Sequence, residues 1–121
     1  MDVRPEDLVR GAEEAYNALD VERVMRLFTP DAVFYRNGKL KAKGADELRR
    51  FHEGFFAAVS DYRLRKTLRA AAGDTVTVEF EETWVATTDG TPMEGFGGEF
   101  WTIEEDRLAE WHLYWRSYPR S

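Results

Sequence analysis

The sequence contains no cysteine, and only two of its 121 residues are histidine. Disulfide bonds, thiolate metal sites and cysteine nucleophiles are therefore excluded, and with so few histidines we expect no metal and no cofactor. No apolar run approaches the ~20 residues of a membrane-spanning helix, so we expect no membrane partner. Acidic residues outnumber basic ones, 23 against 17, and the net charge of −6 disfavours nucleic acid as a partner.

The chain also lacks an apolar signal segment at its start, where it reads MDVRPEDLVR. Together with the missing cysteines, this start predicts a cytoplasmic protein. A length of 121 residues predicts one domain, spanning 1–121. Such a domain can bury a core without disulfides or metal ions.

The first half of the chain predicts three helices. Pro5 suits the first turn of one helix, Asp20 can cap a short second helix, and a third is predicted over 46–59. Apolar side chains recur at helical spacing in these segments. They are Leu8, Ala12, Ala15, Tyr16 and Leu19 in the first, Val21, Val24, Met25 and Phe28 in the second, and Leu48, Phe51, Phe55, Phe56 and Val59 in the third.

The other segments predict strands. The stretch AVFYR (32–36) is a short strand, and the dipeptide Asn37-Gly38 after it is a turn signal. Four longer strands follow, joined by short connections that are typical of antiparallel hairpins: 62–70, 75–87, 92–103 and 108–116. We therefore predict an α+β fold, with three helices packed on one face of a curved, mainly antiparallel sheet.

Matching apolar and charged residues across the first long hairpin predicts its register. The expected pairs are Leu64–Phe80, Leu68–Val76, Arg65–Glu79 and Arg63–Glu81. The basic run RLRKTLR is then interpreted as a solvated ladder of cross-strand charges, and an anion-binding patch is the less favoured alternative.

In the last hairpin, pairing Ile103 with Leu108 places Glu99 opposite His112 on the face towards the helices. The same face is expected to carry Glu82, Trp84, Trp101, Tyr114 and Arg116. Pairing Thr87 with Pro92 places Glu82 opposite Gly97 and Trp84 opposite Gly95, so the two glycines would leave space beside Trp84. A β-bulge near Gly97-Gly98 would exchange the two faces of the strand beyond it.

The final strand, EWHLYWR (110–116), has large side chains on both faces. Trp111, Leu113 and Trp115 alternate with the residues that are expected to face the helices, so they are expected on the outer face of the sheet. Phe100 of the preceding strand is expected on the same outer face. Nothing else in the chain can cover this apolar surface, and monomers rarely expose such a patch. We therefore predict a homodimer through the outer face of the sheet.

The element order, with LFTPDAVFYRNG after the second helix and LAEWHLYWR at the end, resembles the NTF2-like superfamily. The resemblance covers essentially the whole chain and is closest to the SnoaL-like and ketosteroid-isomerase-like members. It implies a cone-shaped fold around a pocket. The superfamily includes isomerases, polyketide cyclases, epoxide hydrolases, dehydratases and non-catalytic binding domains, so it does not imply one activity.

The resemblance carries catalytic residues over only in part. Tyr16 lies where ketosteroid isomerases have an oxyanion-hole tyrosine, and Glu99 lies near their second oxyanion donor. Their catalytic carboxylate would fall near Arg36, which cannot act as a base. The arginine and two aspartates of limonene epoxide hydrolases correspond to Glu82, Trp84 and Arg116, so neither mechanism transfers intact.

Two roles remain open for the inward polar residues. In one, His112 is a general base oriented by Glu99, while Tyr16 or Tyr114 donates a hydrogen bond to an oxyanion. In the other, Glu99 and His112 are a satisfied buried pair without a catalytic role. The expected substrate-binding residues are Trp84, Glu82, Trp101, Tyr114, Arg116 and Arg36. His52 is interpreted as a core histidine.

Two functions remain open as well. The first is cofactor-independent acid–base chemistry, such as isomerisation, cyclisation or dehydration, on a small apolar, aromatic or polycyclic substrate. The alternative is a non-catalytic ligand-binding or dimerisation module on the same fold.

Overall fold

The computed structural model describes residues 2–120 and contains the three predicted helices. They are α1 (Pro5–Asn17), α2 (Val21–Met25) and α3 (Ala45–Ala57). Asp20 caps α2 as predicted, because its side chain accepts a hydrogen bond of 3.2 Å from the backbone N–H of Arg23. Phe28, expected on α2, instead begins a strand. No helix within residues 2–120 is long and apolar enough to cross a membrane.

Six strands form one curved sheet that does not close into a barrel. They are β1 (Phe28–Arg36), β2 (Lys39–Lys43), β3 (Val59–Ala72), β4 (Thr75–Ala86), β5 (Pro92–Glu104) and β6 (Arg107–Pro119). Their order is β2-β1-β6-β5-β4-β3, and only the β1–β6 pair is parallel. Strand β2 was not predicted, although the turn before it was: Asn37 and Gly38 have φ of 52° and 84°. The predicted α+β class is confirmed.

The register between β3 and β4 differs from the predicted one by two residues. Leu64 lies opposite Glu82, not Phe80, and Arg65 pairs with Glu81 at 3.2 Å, not with Glu79. A shift of two preserves the face on which each side chain lies. Leu64 and Phe80 are therefore buried as predicted, although their partners were wrong.

The register between β4 and β5 is shifted in the same way. Glu82 faces Gly95, and Trp84 faces Met93, whereas Trp84 was expected to face Gly95. Both Glu82 and Trp84 nevertheless lie on the inner face and are buried. The predicted faces of β4 and β5 therefore agree with the structure.

The register between β5 and β6 contains the one difference that changes faces. Ile103 pairs with Leu108 as expected, but Thr102 pairs with Glu110, so Ala109 is an extra residue in a bulge. Trp101 then faces Trp111, and Glu99 faces Leu113 instead of His112. The bulge lies at the start of β6 and not near Gly97-Gly98. Every side chain after it has exchanged faces relative to the prediction.

The helices cover the inner face of the sheet. The largest fully buried side chains come from both layers: Trp101, Phe34, Leu48, His52, Val24 and Val76. On the outer face, Phe96, Phe100, Tyr114 and Tyr118 are 42–49% exposed. The apolar outer patch is therefore real, but its members differ from the prediction, because Trp111, Leu113 and Trp115 point inward.

Candidate functional site

A cavity of about 490 Å³ lies between helices α1 and α3 and the inner face of the sheet. This volume is within the usual range for small-molecule sites. Its walls are mainly apolar, and the aromatic residues among them include Phe51, Phe55, Phe80, Trp84, Trp111 and Trp115. The polar groups that reach it are few, which makes each of them informative.

Lys66 and Glu99 form a buried ion pair on one wall of the cavity. Their side chains are only 5% and 2% exposed. The indole N–H groups of Trp101 and Trp111 both donate to Oε1 of Glu99, at 3.1 and 2.8 Å. The Lys66 ammonium lies 5.5 Å from the ring centre of Tyr16. A buried charge is costly unless it is paired, so the Lys66 ammonium and the Glu99 carboxylate hold each other in place in this wall.

Glu82 is the second buried carboxylate of the cavity. Its Oε1 accepts a hydrogen bond of 2.7 Å from the Tyr62 hydroxyl, and its Oε2 accepts one of 2.8 Å from Nε1 of Trp115. Within residues 2–120 no basic side chain lies within ion-pair distance of it. Burial raises the pKa of the Glu82 carboxyl above its ordinary value, although the two hydrogen bonds oppose this shift.

Gly95 makes room for the contact between Glu82 and Trp115. A Cβ atom at Gly95 would lie 2.9 Å from Nε1 of Trp115 and 3.0 Å from Oε2 of Glu82. The space expected beside Trp84 is therefore occupied by this hydrogen bond, and Glu82 and Trp115 meet directly above β5.

Tyr16 and His52 form a separate polar pair. The His52 Nδ1 donates to the carbonyl of Leu48 at 2.8 Å, which leaves Nε2 as the acceptor for the Tyr16 hydroxyl at 2.7 Å. Burial lowers the pKa of His52 to about 4, so the ring is neutral at pH 7. The Tyr16 proton is therefore directed at His52 and not into the cavity. His52 is a core histidine, as its position after Leu48 indicates.

The structure brings five of the predicted site residues to the cavity. They are Tyr16, Arg36, Glu82, Trp84 and Glu99. Trp101 lies beneath the wall, 1% exposed, and supports it through its hydrogen bond to Glu99.

The prediction for β6 was wrong because of the bulge at Ala109. His112 lies on the outer face, where it stacks on Tyr35 at 4.8 Å and contacts Glu110 Oε1 at 3.0 Å. It does not contact Glu99, so the expected base–carboxylate pair does not form. Tyr114 and Arg116 are also exposed on the outer face, and Arg116 forms no ion pair with Glu82 within residues 2–120.

Four polar residues of the cavity were missed: Arg50, Tyr62, Lys66 and Trp115. Lys66 had a signal in the sequence, since it shares the inward parity of Leu64 and Leu68 within a run interpreted as solvated. Tyr62 shares the same parity. Trp115 had none, because its orientation depends on the bulge.

The model of the SnoaL-like domain matches residues 9–111 of the chain. Among curated proteins, none matches significantly. An NTF2-like protein of unknown function from Burkholderia pseudomallei is 19% identical, with a TM-score of 0.79 over 93% of this chain and 90% of the other.

Two further solved structures show the same fold. SalBIII, described as an epoxide hydrolase/cyclase-like enzyme in pyran ring formation of the polyether salinomycin, is 18% identical, with a TM-score of 0.82 over 93% of this chain and 90% of its own. A protein from Catenulispora acidiphila with a ketosteroid-isomerase-like fold, in complex with trimethylamine, is 16% identical, with a TM-score of 0.79 over 89% and 84%. The domain match therefore places this chain in the SnoaL-like family, and the solved structures show that it has the NTF2-like, ketosteroid-isomerase-like fold.

Proposed function

We propose that this protein catalyses cofactor-independent proton transfer on a small apolar, aromatic or polycyclic substrate, in an isomerisation, cyclisation or dehydration. The observation that carries the proposal is the contrast between the two carboxylates of the cavity. Glu99 is compensated by Lys66, whereas Glu82 has no cationic partner within residues 2–120 and a pKa raised by burial. Raising the pKa of a carboxyl towards neutrality matches it to proton transfer.

Glu82 is the proton-transfer group in this proposal, replacing the predicted His112. Tyr62 and Trp115 hold its carboxyl in place, and each oxygen keeps a lone pair for a substrate proton. Lys66 supplies the positive charge. Its ammonium has three N–H donors, one of which pairs with Glu99, so the others can stabilise negative charge that develops on a substrate oxygen.

Proton exchange on a model carbon acid tests this role. The probe is 2-tetralone, a bicyclic ketone whose exchange with D₂O is followed by NMR. We expect the protein to accelerate exchange over buffer, and Glu82→Gln to lose on the order of 100-fold of that acceleration. Glu110→Gln, which removes an outer-face carboxylate, is the matched control. Unchanged exchange in Glu82→Gln would remove Glu82 from the mechanism.

The non-catalytic alternative keeps one supporting observation. Both oxygens of Glu82 already accept hydrogen bonds, which a purely structural carboxyl would also do. Binding of 2-tetralone without any acceleration of exchange would favour this alternative.

The proposal also includes self-association through the outer face of the sheet. Phe96 packs edge-on against Tyr118, and Phe100 against Tyr114, in two exposed aromatic pairs. Large aromatic side chains tend to dominate interfaces. A single domain over 1–121, a cytoplasmic location and the absence of nucleic-acid and membrane partners stay predictions.

A further inference from the structure

Two arginines line the cavity and are accessible to solvent. Arg36, at the end of β1, is half-buried, and Arg50, on α3, is exposed, and both line the cavity. Within residues 2–120 neither guanidinium lies within ion-pair distance of a carboxylate. Arg49, the neighbour of Arg50, pairs with Glu22 instead. The two unpaired cations thus line the same apolar space, and both are reached by solvent.

The charge of the cavity is opposite in sign to that of the whole protein. The lining includes three basic side chains and two acidic ones, although the whole chain carries −6. A cleft with low-dielectric walls focuses the field of the charges that line it. An anion that the rest of the surface repels is therefore favoured in this cavity.

Arg36 is held in place by its surroundings. Its guanidinium lies over the ring of Trp115, 5.6 Å from the ring centre. The next residue, Asn37, fixes the same tryptophan, since its Oδ1 accepts the Trp115 backbone N–H at 3.0 Å and its own N–H donates to the Leu113 carbonyl at 2.8 Å. A guanidinium positioned in advance loses less entropy when it binds a carboxylate.

Trp115 also connects Arg36 to Glu82. The Arg36 guanidinium lies over its ring, and its Nε1–H donates to Glu82 at 2.8 Å. A ligand whose anionic group lies on Arg36 would therefore extend its apolar body along Trp115 towards the proton-transfer carboxyl.

We propose that Arg36 and Arg50 form a carboxylate-recognition site, and that the ligand of this cavity is an aromatic or apolar carboxylate bound with its anionic group at these arginines. This inference names the substrate class of the same cavity and so rests on the proposed function. A planar guanidinium fork matches a carboxylate in two hydrogen bonds, which gives orientation as well as affinity.

Calorimetric binding of two matched probes tests the inference: naphthalene-2-carboxylate and its neutral amide, naphthalene-2-carboxamide. We expect the carboxylate to bind at least about tenfold more tightly, the scale of one charge-assisted hydrogen bond. This preference should weaken with added salt, whereas amide binding should not. Arg36→Gln and Arg50→Gln should each reduce the preference, Arg36→Lys should retain part of it, and Arg49→Gln, the matched control, should leave it unchanged.

The outcomes separate this inference from the proposed chemistry. Glu82→Gln should lose proton exchange but retain or increase the preference for the carboxylate, because the preference is measured without turnover. Equal affinity for the two probes in the wild type would overturn carboxylate recognition and leave the role of Glu82 standing. The absence of carboxylate binding at millimolar concentration would overturn it as well. An unchanged preference in both Arg36→Gln and Arg50→Gln would also overturn it. Thermal melting shows whether the variants fold.

Discussion

At the scale of single residues, the cavity depends on how each buried charge is compensated. Glu99 accepts three hydrogen bonds, one of them from the Lys66 ammonium, whereas Glu82 accepts two hydrogen bonds, both from neutral donors. The Glu99 arrangement stabilises the fold only when the carboxylate, the ammonium and the two indole N–H groups are all present. The Glu82 arrangement leaves a carboxyl whose proton affinity is increased by burial.

Breaking the buried pair should be costly. Lys66→Met leaves Glu99 buried without its cation, and we expect a loss of ~3–5 kcal/mol in the free energy of unfolding. The double variant Lys66→Met, Glu99→Gln should recover much of that loss, because neither charge remains. Urea denaturation measures both. Arg65→Gln, which breaks the exposed pair with Glu81, is the control and should cost under ~1 kcal/mol. Similar losses for the Lys66 and Arg65 variants would contradict this account.

The raised pKa of Glu82 predicts how stability depends on pH. The folded protein binds the Glu82 proton more tightly than the unfolded chain does. The stability that this proton contributes is fully present below the pKa that Glu82 has in the unfolded chain. It is lost as the pH rises through the higher pKa that Glu82 has in the folded protein. The free energy of unfolding of the wild type minus that of Glu82→Gln should therefore fall as pH rises from about 4, the ordinary pKa of a glutamate, through the raised pKa of Glu82 in the folded protein.

Urea midpoints across that range measure the difference. Tyr62→Phe removes a donor to the Glu82 carboxylate, so it should move the loss to higher pH. The outward-facing Glu81→Gln controls for the loss of one carboxylate. If the difference in free energy of unfolding between the wild type and Glu82→Gln does not change with pH, burial does not raise the pKa of Glu82.

At the scale of elements, periodicity predicted the helices, the long strands and the faces of β3, β4 and β5. Errors of two residues in register left these faces unchanged, because side chains alternate with a period of two. The bulge at Ala109 shifts the register of β6 by one residue, so every side chain of β6 beyond it lies on the face opposite to the predicted one. No glycine or proline marks this bulge, so the sequence offered no local signal. The roles expected of His112 and of Trp115 were lost for the same reason.

Gly97 tests how closely β5 and β6 approach each other. A Cβ atom there would lie 1.9 Å from the carbonyl oxygen of Tyr114, and backbone cannot move aside as a side chain can. We expect Gly97→Ala to lower the free energy of unfolding by ~1–3 kcal/mol or more. The adjacent Gly98→Ala is the control, since its Cβ would meet only the Val78 carbonyl at 3.7 Å. Thermal or urea unfolding of the two variants compares them, and equal stability would show that the strands separate at little cost.

At the scale of the whole molecule, the two faces of the sheet differ in what covers them. The inner face has helices and a cavity, whereas the outer face presents Phe96, Phe100, Tyr114 and Tyr118 to solvent. The sequence predicted an uncovered apolar face, and the face exists with different residues on β6. The alternation of side chains along the strands could predict that one face of the sheet is apolar. Which residues of β6 belong to that face depends on the bulge.

Burying this aromatic surface against a second copy predicts a homodimer. Light scattering on a sizing column should give twice the 14.1 kDa of the chain at micromolar concentration. Phe100→Glu should shift the protein to monomer, because it places a charge beside Tyr114 within the patch. Val3→Glu, which adds the same charge at another exposed apolar residue, should leave the dimer intact. Since Phe100 is exposed, the cavity and the stability of the monomer should be preserved in Phe100→Glu. A wild type that stays monomeric, or a Phe100→Glu variant that stays dimeric, would rule out this face as the interface.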